Sequence, residues 1–359
     1  MNTPGRQRRW KQSPPGSHWG EFGDDDQLGR MNLVDKAKLM QGLAEVHEGR
    51  TFCLSLPLDH PGGAALNPRR LPAQRFATLR DGASAGAQGF CWSYSSEDET
   101  LTDVVCDDVL LMNTQYSTQW DSLAHMGSRF DADGDGVAEV VFYNGYRGGS
   151  DVRAAPQNPE PIADWARFPG PSADRLGIEN LAEHGVQGRG VMVDLERHIG
   201  RCREAVGYER LMRVLDADRV EIEPGDMVCL HTGFADTLLA MKRQPDVKLL
   251  HQTGSGLDGR DGRLLNWIVD TRLSCLIADN PAVELVLPRL TTPAPLRRPK
   301  LPLHEHCLFK NGIHLGELWL LTPLALWLRE HQRSRFLLTA PPLRLPGAAG
   351  SPATPIATV

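Results

Sequence analysis

The sequence contains no C-x-x-C pair. Its seven cysteines, Cys53, Cys91, Cys106, Cys202, Cys229, Cys275 and Cys307, are odd in number and scattered. That pattern argues against a zinc ribbon or a disulfide framework and for reduced, mostly buried thiols. No apolar run approaches the roughly 20 residues of a bilayer span, and the N-terminus has no signal-like apolar stretch, so a cytoplasmic protein is expected. A formal charge of -6 gives no basic footprint for nucleic acid or for an anionic membrane surface. Internal repeats are also missing, which excludes solenoids and propellers.

What is present is a chain of 359 residues, long enough to bury a sizeable core in one large or two ordinary domains. Residues 1–17 carry Arg6, Arg8, Arg9 and Lys11 among polar residues and prolines, and are expected to form a flexible basic arm. Apolar residues recur at helical spacing from Val34 to His47, with Asp35 as a cap and Gly49 as a stop. Further helices are expected over 178–184, 204–215 and 262–271, and from a Thr322 cap through Pro323 to His331. Short Val-, Leu- and Ile-rich runs at 51–58, 104–112, 138–143, 190–195, 219–223, 226–231, 274–278 and 283–287 read as strands. Strands and helices mix without regular alternation. This predicts a single mixed α/β domain over 18–359 and not a doubly wound sheet.

One segment concentrates chemistry. Gln115, Gln119 and Asp121 lie within seven residues and His125 four further on, so a loop entering a helix could aim all four polar groups at one pocket. The alternative is a polar loop whose amides serve the backbone. Trp120, Phe130, Tyr143 and Tyr146 would give such a pocket an aromatic wall suited to an aryl or cyclic substrate, or belong to the core. His231, ahead of Thr232-Gly233, either binds substrate or ends a buried strand. The run Asp131-Ala132-Asp133-Gly134-Asp135-Gly136 has the acids of a calcium loop but Phe142 at its twelfth position, so a hairpin turn is the better reading.

The segment from Gln115 to His125 resembles the H-x-G-T-H-x-D-x-x-x-H signature of the putative cyclase family, which includes kynurenine formamidase and isatin hydrolase. Thr118, Asp121 and His125 match, whereas Gln115 and Gln119 stand where the family has its two leading histidines. The same resemblance runs through Trp19-Gly20 with Asp26, Gly29 and Asn32. It continues through Arg189–Asp194, Pro224-Gly225-Asp226-Met227-Val228, Ala278–Glu284, Gly312–Glu317 and the Gly350-Ser351-Pro352 tail.

The resemblance implies a mixed barrel-like sheet flanked by helices. It also implies a divalent metal, zinc or manganese, held by Asp121, His304 and Glu317, with His125 as the proton-transfer group; His306 competes with His304 for the late ligand position. Carboxamides are poorer zinc ligands than imidazoles, so Gln115 and Gln119 weaken one metal position. That leaves three alternatives: a one-metal hydrolase of a small amide, formamide, lactam or lactone; a metal-free cyclase or lyase in which the glutamines hold substrate; or a binding protein without activity. The family also implies a homodimer or homotetramer, with the Pro-rich C-terminal arm as an exchange element.

Overall fold

The computed structural model of the chain describes residues 8–64, 66–80, 89–155, 170–286 and 298–359. Nine strands form one sheet: β1 Thr51–Cys53, β2 Gln119–Asp121, β3 Gln187–Asp194, β4 Met227–His231, β5 Cys275–Ala278, β6 His314–Glu317, β7 Arg335–Thr339, β8 Gly350–Pro352 and β9 Ile356–Thr358. Their spatial order is β1-β9-β7-β3-β4-β5-β6-β2-β8, curled into a half-barrel. The central pairs β3/β4, β4/β5 and β5/β6 are parallel, and the flanking pairs are antiparallel. This is the expected single-domain mixed α/β architecture.

Each central strand is apolar on both faces because both are covered. Val191, Val193, Val228, Leu230, Leu276, Ala278 and Leu315 point to one core, which helices α3 Tyr208–Asp218 and α4 Gly262–Asp270 cover through Leu211, Val214, Leu264 and Ile268. Their neighbours Met192, Met227, Cys229, Cys275 and Ile277 point to a second core. It is closed by α2 Glu179–His184 through Leu181 and by α5 Thr322–Glu330 through Leu324, Ala325 and Leu328. Helix α1 Lys36–Leu43 begins as expected, with the Asp35 carboxylate accepting from Lys38 N–H. It lies so close to β3 that a Cβ on Gly42 would fall 2.7 Å from the carbonyl carbon of Gly188.

Several expectations are corrected. The arm is docked from Arg8 onward: Trp10 is buried edge-on against Trp19, and the Arg9 guanidinium lies 3.9 Å from the centre of the Tyr146 ring. That apolar and cation–π contact offsets the ordering entropy; residues 1–7 lie outside the described residues. The run 104–112 splits into Val104–Cys106 and Asp108–Leu111, which pair with Phe90–Ser93 and Gln74–Ala77 outside the main sheet. Residues 219–223 form no strand, and 283–286 contribute one isolated bridge, Leu257 to Glu284; residue 287 lies outside the described residues. The helix expected from 204 starts at Tyr208, because Ala205–Val206 pair with Gly256–Leu257 and Asp261 accepts the Tyr208 N–H. Thr322 does not cap α5, since its hydroxyl bonds His231 instead. Cys53, Cys91, Cys106 and Cys202 are exposed, so only three of the thiols are buried. β8 pairs with β2, and β9 lies between β1 and β7. Among the described residues no helix is long and apolar enough to cross a membrane.

The Pro224-Gly225-Asp226 turn ahead of β4 anchors this frame. Asp226 is fully buried and accepts from Lys38 Nζ at 2.9 Å and from Arg189 Nε and Nη2 at 2.8 and 3.0 Å. Neutralising it leaves two buried cations short of a counter-charge. Asp226→Asn should therefore cost about 3 kcal/mol or more in urea denaturation. A loss under 1 kcal/mol would show that Glu223, which also pairs with Arg189 at 2.9 Å, carries the cluster.

His314 makes the fold pH-sensitive. Burial pushes its imidazole down to about 3, and its Nδ1 has no partner among the described residues. Because the folded value lies below the unfolded one of 6.5, the unfolded chain takes up a proton first and stability falls as pH drops below 6.5. His314→Leu should reduce the stability lost between pH 7 and pH 5 by about 2 kcal/mol, read from urea midpoints at the two pH values.

Candidate functional site

The site begins with the register of β2 on β6. Asp121 pairs with Leu315 and Gln119 with Glu317. Alternation then turns Gln119, Asp121 and Glu317 to the same face and sends Trp120 and Gly316 to the other. The expected loop entering a helix is thus a strand. Residues two apart share a face on a strand, which brings Gln119 and Asp121 together as effectively as a helix would.

His304 comes from a different element. A helical turn, Pro302–His304, passes into a π-helical segment, Glu305–Lys310, and His304 sits at the junction. Glu284 fixes its orientation: the carboxylate accepts from Leu303 N and His304 N, and Oε1 lies 2.8 Å from His304 Nδ1. The other ring nitrogen, Nε2, lies 3.2 Å from Glu317 Oε1. The second oxygen of Glu317 accepts from Gln119 Nε2 at 2.8 Å.

Ligand atoms of Asp121, His304 and Glu317 all lie within 4.8 Å of one another, and all three residues are buried. Both carboxylate oxygens of Asp121 and the Oε1 of Gln119 are buried and accept no hydrogen bond among the described residues. Such oxygens are costly unless something positive meets them. An imidazole held by a carboxylate on one nitrogen, with a second carboxylate beside the other nitrogen, is the usual support of a metal-ligating histidine. The residues present therefore fit a divalent cation, with Asp121, His304 and Glu317 as its holders.

The groups perturb one another strongly, and a metal would have to displace the proton of His304. Burial, with repulsion from Glu317 behind it, raises the Asp121 carboxyl to about 6 against the attraction of His125 and His304. Burial alone would lower His304, but hydrogen bonds to Glu284 and Glu317 and the nearby Asp121 charge overcome it and raise the imidazole to about 10. His125 moves the other way: burial lowers it more than Asp121 raises it, so it is a neutral imidazole near pH 7. Its Nδ1 lies 3.7 Å from Asp121 Oδ1.

His125, His304, Glu317 and Gln115 line a cavity of about 720 Å³, with Asp121 and Gln119 directly behind them. Gln115 fits there because position 350 is glycine; a Cβ at Gly350 would lie 2.7 Å from Gln115 Nε2. Five expected lining residues lie elsewhere. Trp120 is on the opposite face, edge-on to Trp319 with its indole N–H donating to Ala340 O. His231 ends β4 on that same opposite side, hydrogen-bonded to Asp194 and Thr322, each at 2.9 Å. The Asp194 and Glu196 charges there are met by Arg329. Tyr143 is buried in the core and donates its hydroxyl to Asp26; Phe130 packs on Trp19, and Tyr146 is likewise core.

His306 bonds Asn311, and burial lowers it to about 4; it is not in the cluster. The acidic run from Asp131 closes the hairpin of Ser128–Phe130 on Glu139–Val141, its carboxylates accepting N–H groups of the turn. Glu284 is the functional residue that sequence reasoning missed as a site residue. The Ala278–Glu284 motif contains it, but nothing in that motif says which histidine it will hold.

An α/β half-barrel with two carboxylates and an imidazole converging behind a cavity defines the class. The chain belongs to the putative cyclase family, whose model matches residues 53–285. A crystal structure described as a novel cyclase is 28% identical to it, covers 96% of this chain and 99% of that chain, and superposes with a TM-score of 0.71. Isatin hydrolase A from Labrenzia aggregata, bound to benzyl benzoate, has the same fold at 12% identity; the match covers 89% of this chain and 97% of that one, with a TM-score of 0.52. No curated protein matches the sequence.

The Glu284 contact yields a direct check. Glu284→Gln can keep an oxygen for His304 N–H and Nδ1, loses the one that accepts from Leu303 N–H, and removes the charge behind His304. Zinc affinity, measured by competition with a chromogenic chelator, should fall about 10- to 100-fold with the melting temperature little changed. Unchanged affinity would show that Glu284 only holds the backbone.

Proposed function

We propose that the protein is a metal-dependent hydrolase of a carbon–nitrogen or carbon–oxygen bond in a small amide, formamide, lactam or lactone. The observation that carries this reading is the set of buried, unpartnered oxygens on Asp121 and Gln119 beside the His304 imidazole that Glu284 and Glu317 hold. A divalent ion held by Asp121, His304 and Glu317 supplies Lewis acidity that polarises a carbonyl and lowers the pKa of water. One imidazole with two carboxylates suits zinc or manganese, and the carboxamide oxygen of Gln119 adds a harder donor that favours manganese.

His125 is the proton carrier. It is neutral near pH 7, faces the cavity, and has Asp121 on its Nδ1 side to steady the imidazolium. Nε2, turned away from Asp121, takes the proton of the attacking water and returns it to the leaving nitrogen or oxygen. The apolar part of the wall, including Leu66, Leu301 and Leu318, binds the body of the substrate and keeps bulk water out. One observation favours a second reading, a metal-independent cyclase or lyase: the Gln115 carboxamide lines the cavity, with Thr114 donating to its Oε1 and its N–H groups available to a substrate carbonyl.

Elemental analysis of protein purified without chelator or added metal decides between them. About one equivalent of zinc or manganese is expected, lost in Asp121→Ala. His125→Ala should keep the metal but lower kcat on a panel of amides, formamides and lactones by about 10²- to 10⁴-fold. Protein that holds no metal and takes none up on titration would overturn the hydrolase reading.

A further inference from the structure

The cavity wall carries a cation that the proposed chemistry does not use. Arg70 is half-buried there, and its Nη1 donates to Gln115 O at 2.7 Å. Gln115 itself packs against Gly350, the register partner of Asp121, so the guanidinium is tied to the strand pair that builds the site. Among the described residues Arg70 makes no ion pair, although Asp121, Glu317 and Glu284 are all in the vicinity of the same cavity.

Two more cations, Arg69 and Lys300, stand exposed at the rim of this cavity, whereas its remaining wall is largely apolar, with Pro281, Ala282 and Val286 on one side. A structural role alone accounts for one N–H of Arg70, the one on Gln115. It leaves unexplained why a planar fork with further donors faces the cavity, and why the rim repeats its charge. A partly desolvated guanidinium with unused donors matches the two oxygens of a carboxylate better than any neutral group.

We propose that Arg70, backed by Lys300 at the rim, forms a subsite for a carboxylate, so that the substrate is an anionic molecule with an apolar or aromatic body. The anion contact places that body along the apolar wall and presents the bond to be cleaved to Asp121, His304 and Glu317. The subsite stands on Arg70 alone, and only the placement of the scissile bond rests on the hydrolase reading.

The test is calorimetric titration of the full chain, with and without one equivalent of zinc, against 3-phenylpropionate and its neutral isostere 4-phenyl-2-butanone. Neither probe can be hydrolysed. The wild type should bind the carboxylate at least about tenfold more tightly. Arg70→Met should abolish that preference, Arg70→Lys should retain part of it, and Lys300→Met should reduce it about threefold. Circular dichroism checks that each variant is folded. The Lys300 variant and the wild-type comparison remain informative if Arg70→Met unfolds.

Equal affinity for the two probes in the wild type would overturn the subsite. So would a preference that survives Arg70→Met in folded protein. A preference seen only with zinc and surviving Arg70→Met would put the carboxylate on the metal, removing the subsite and leaving the hydrolase reading intact. A preference that depends on Arg70 in protein that takes up no zinc would keep the subsite and remove the hydrolase reading.

Discussion

The pairing of β2 on β6 is the constraint on which the site depends. Only three residue pairs define it, yet they set Gln119 against Glu317 and put Asp121 one step along the same face. A slip of one residue would turn Asp121 and Gln119 into the core behind the sheet and bring Trp120 into the cavity. Several contacts guard against that slip. The Trp120 indole is committed to Ala340 O and packs edge-on against Trp319, whose own N–H donates to Gln119 O. The Thr118 hydroxyl donates to Leu318 O and accepts Leu56 N–H. The two tryptophans thus serve chemistry from the far side of the sheet, by fixing which face the acids occupy.

The sheet separates two ionic clusters of opposite character. Behind it, Asp194, His231 and Arg329 satisfy one another, and Asp194 is held below the usual carboxylate range because its bonds to His231 and Arg329 outweigh burial. In front, Asp121 is raised by burial, with its oxygens unpartnered. Both sets hold acids and a histidine at ligand-like spacing. The difference lies in the arginine: a guanidinium beside the carboxylates completes a structural cluster, and its absence from the immediate contacts of Asp121 leaves charge for a ligand to meet.

Much of this was legible along the chain, and the reasons differ from residue to residue. Helices α1, α2, α4 and α5 follow from apolar spacing, and β3, β4 and β5 from runs that are apolar on both faces. Strands β2 and β6 were not legible, because Gln119-Trp120-Asp121 and His314-Leu315-Gly316-Glu317 are too short and too polar to look like strands. The convergence of Asp121, His304 and Glu317 was reached through family resemblance, since no spacing rule links residues nearly two hundred positions apart. Trp120 and His231 were misplaced because nothing in the sequence says which face of the sheet a strand residue takes, and Tyr143 because the turn Tyr143–Gly145 carries it into the core.

The sequence by itself determined the mixed α/β class and the gathering of Gln115, Gln119, Asp121 and His125 in one short segment. Local hydrophobic period and residue chemistry carry those properties, and they do not depend on what packs where. The tertiary structure alone decided that Glu284 steers His304, that Arg70 faces the cavity with no carboxylate partner among the described residues, and that the N-terminal segment docks through Trp10. Each of these is a contact between residues far apart in the chain, fixed by strand register and by the π-helical turn after His304, and neither leaves a periodic signal in the sequence.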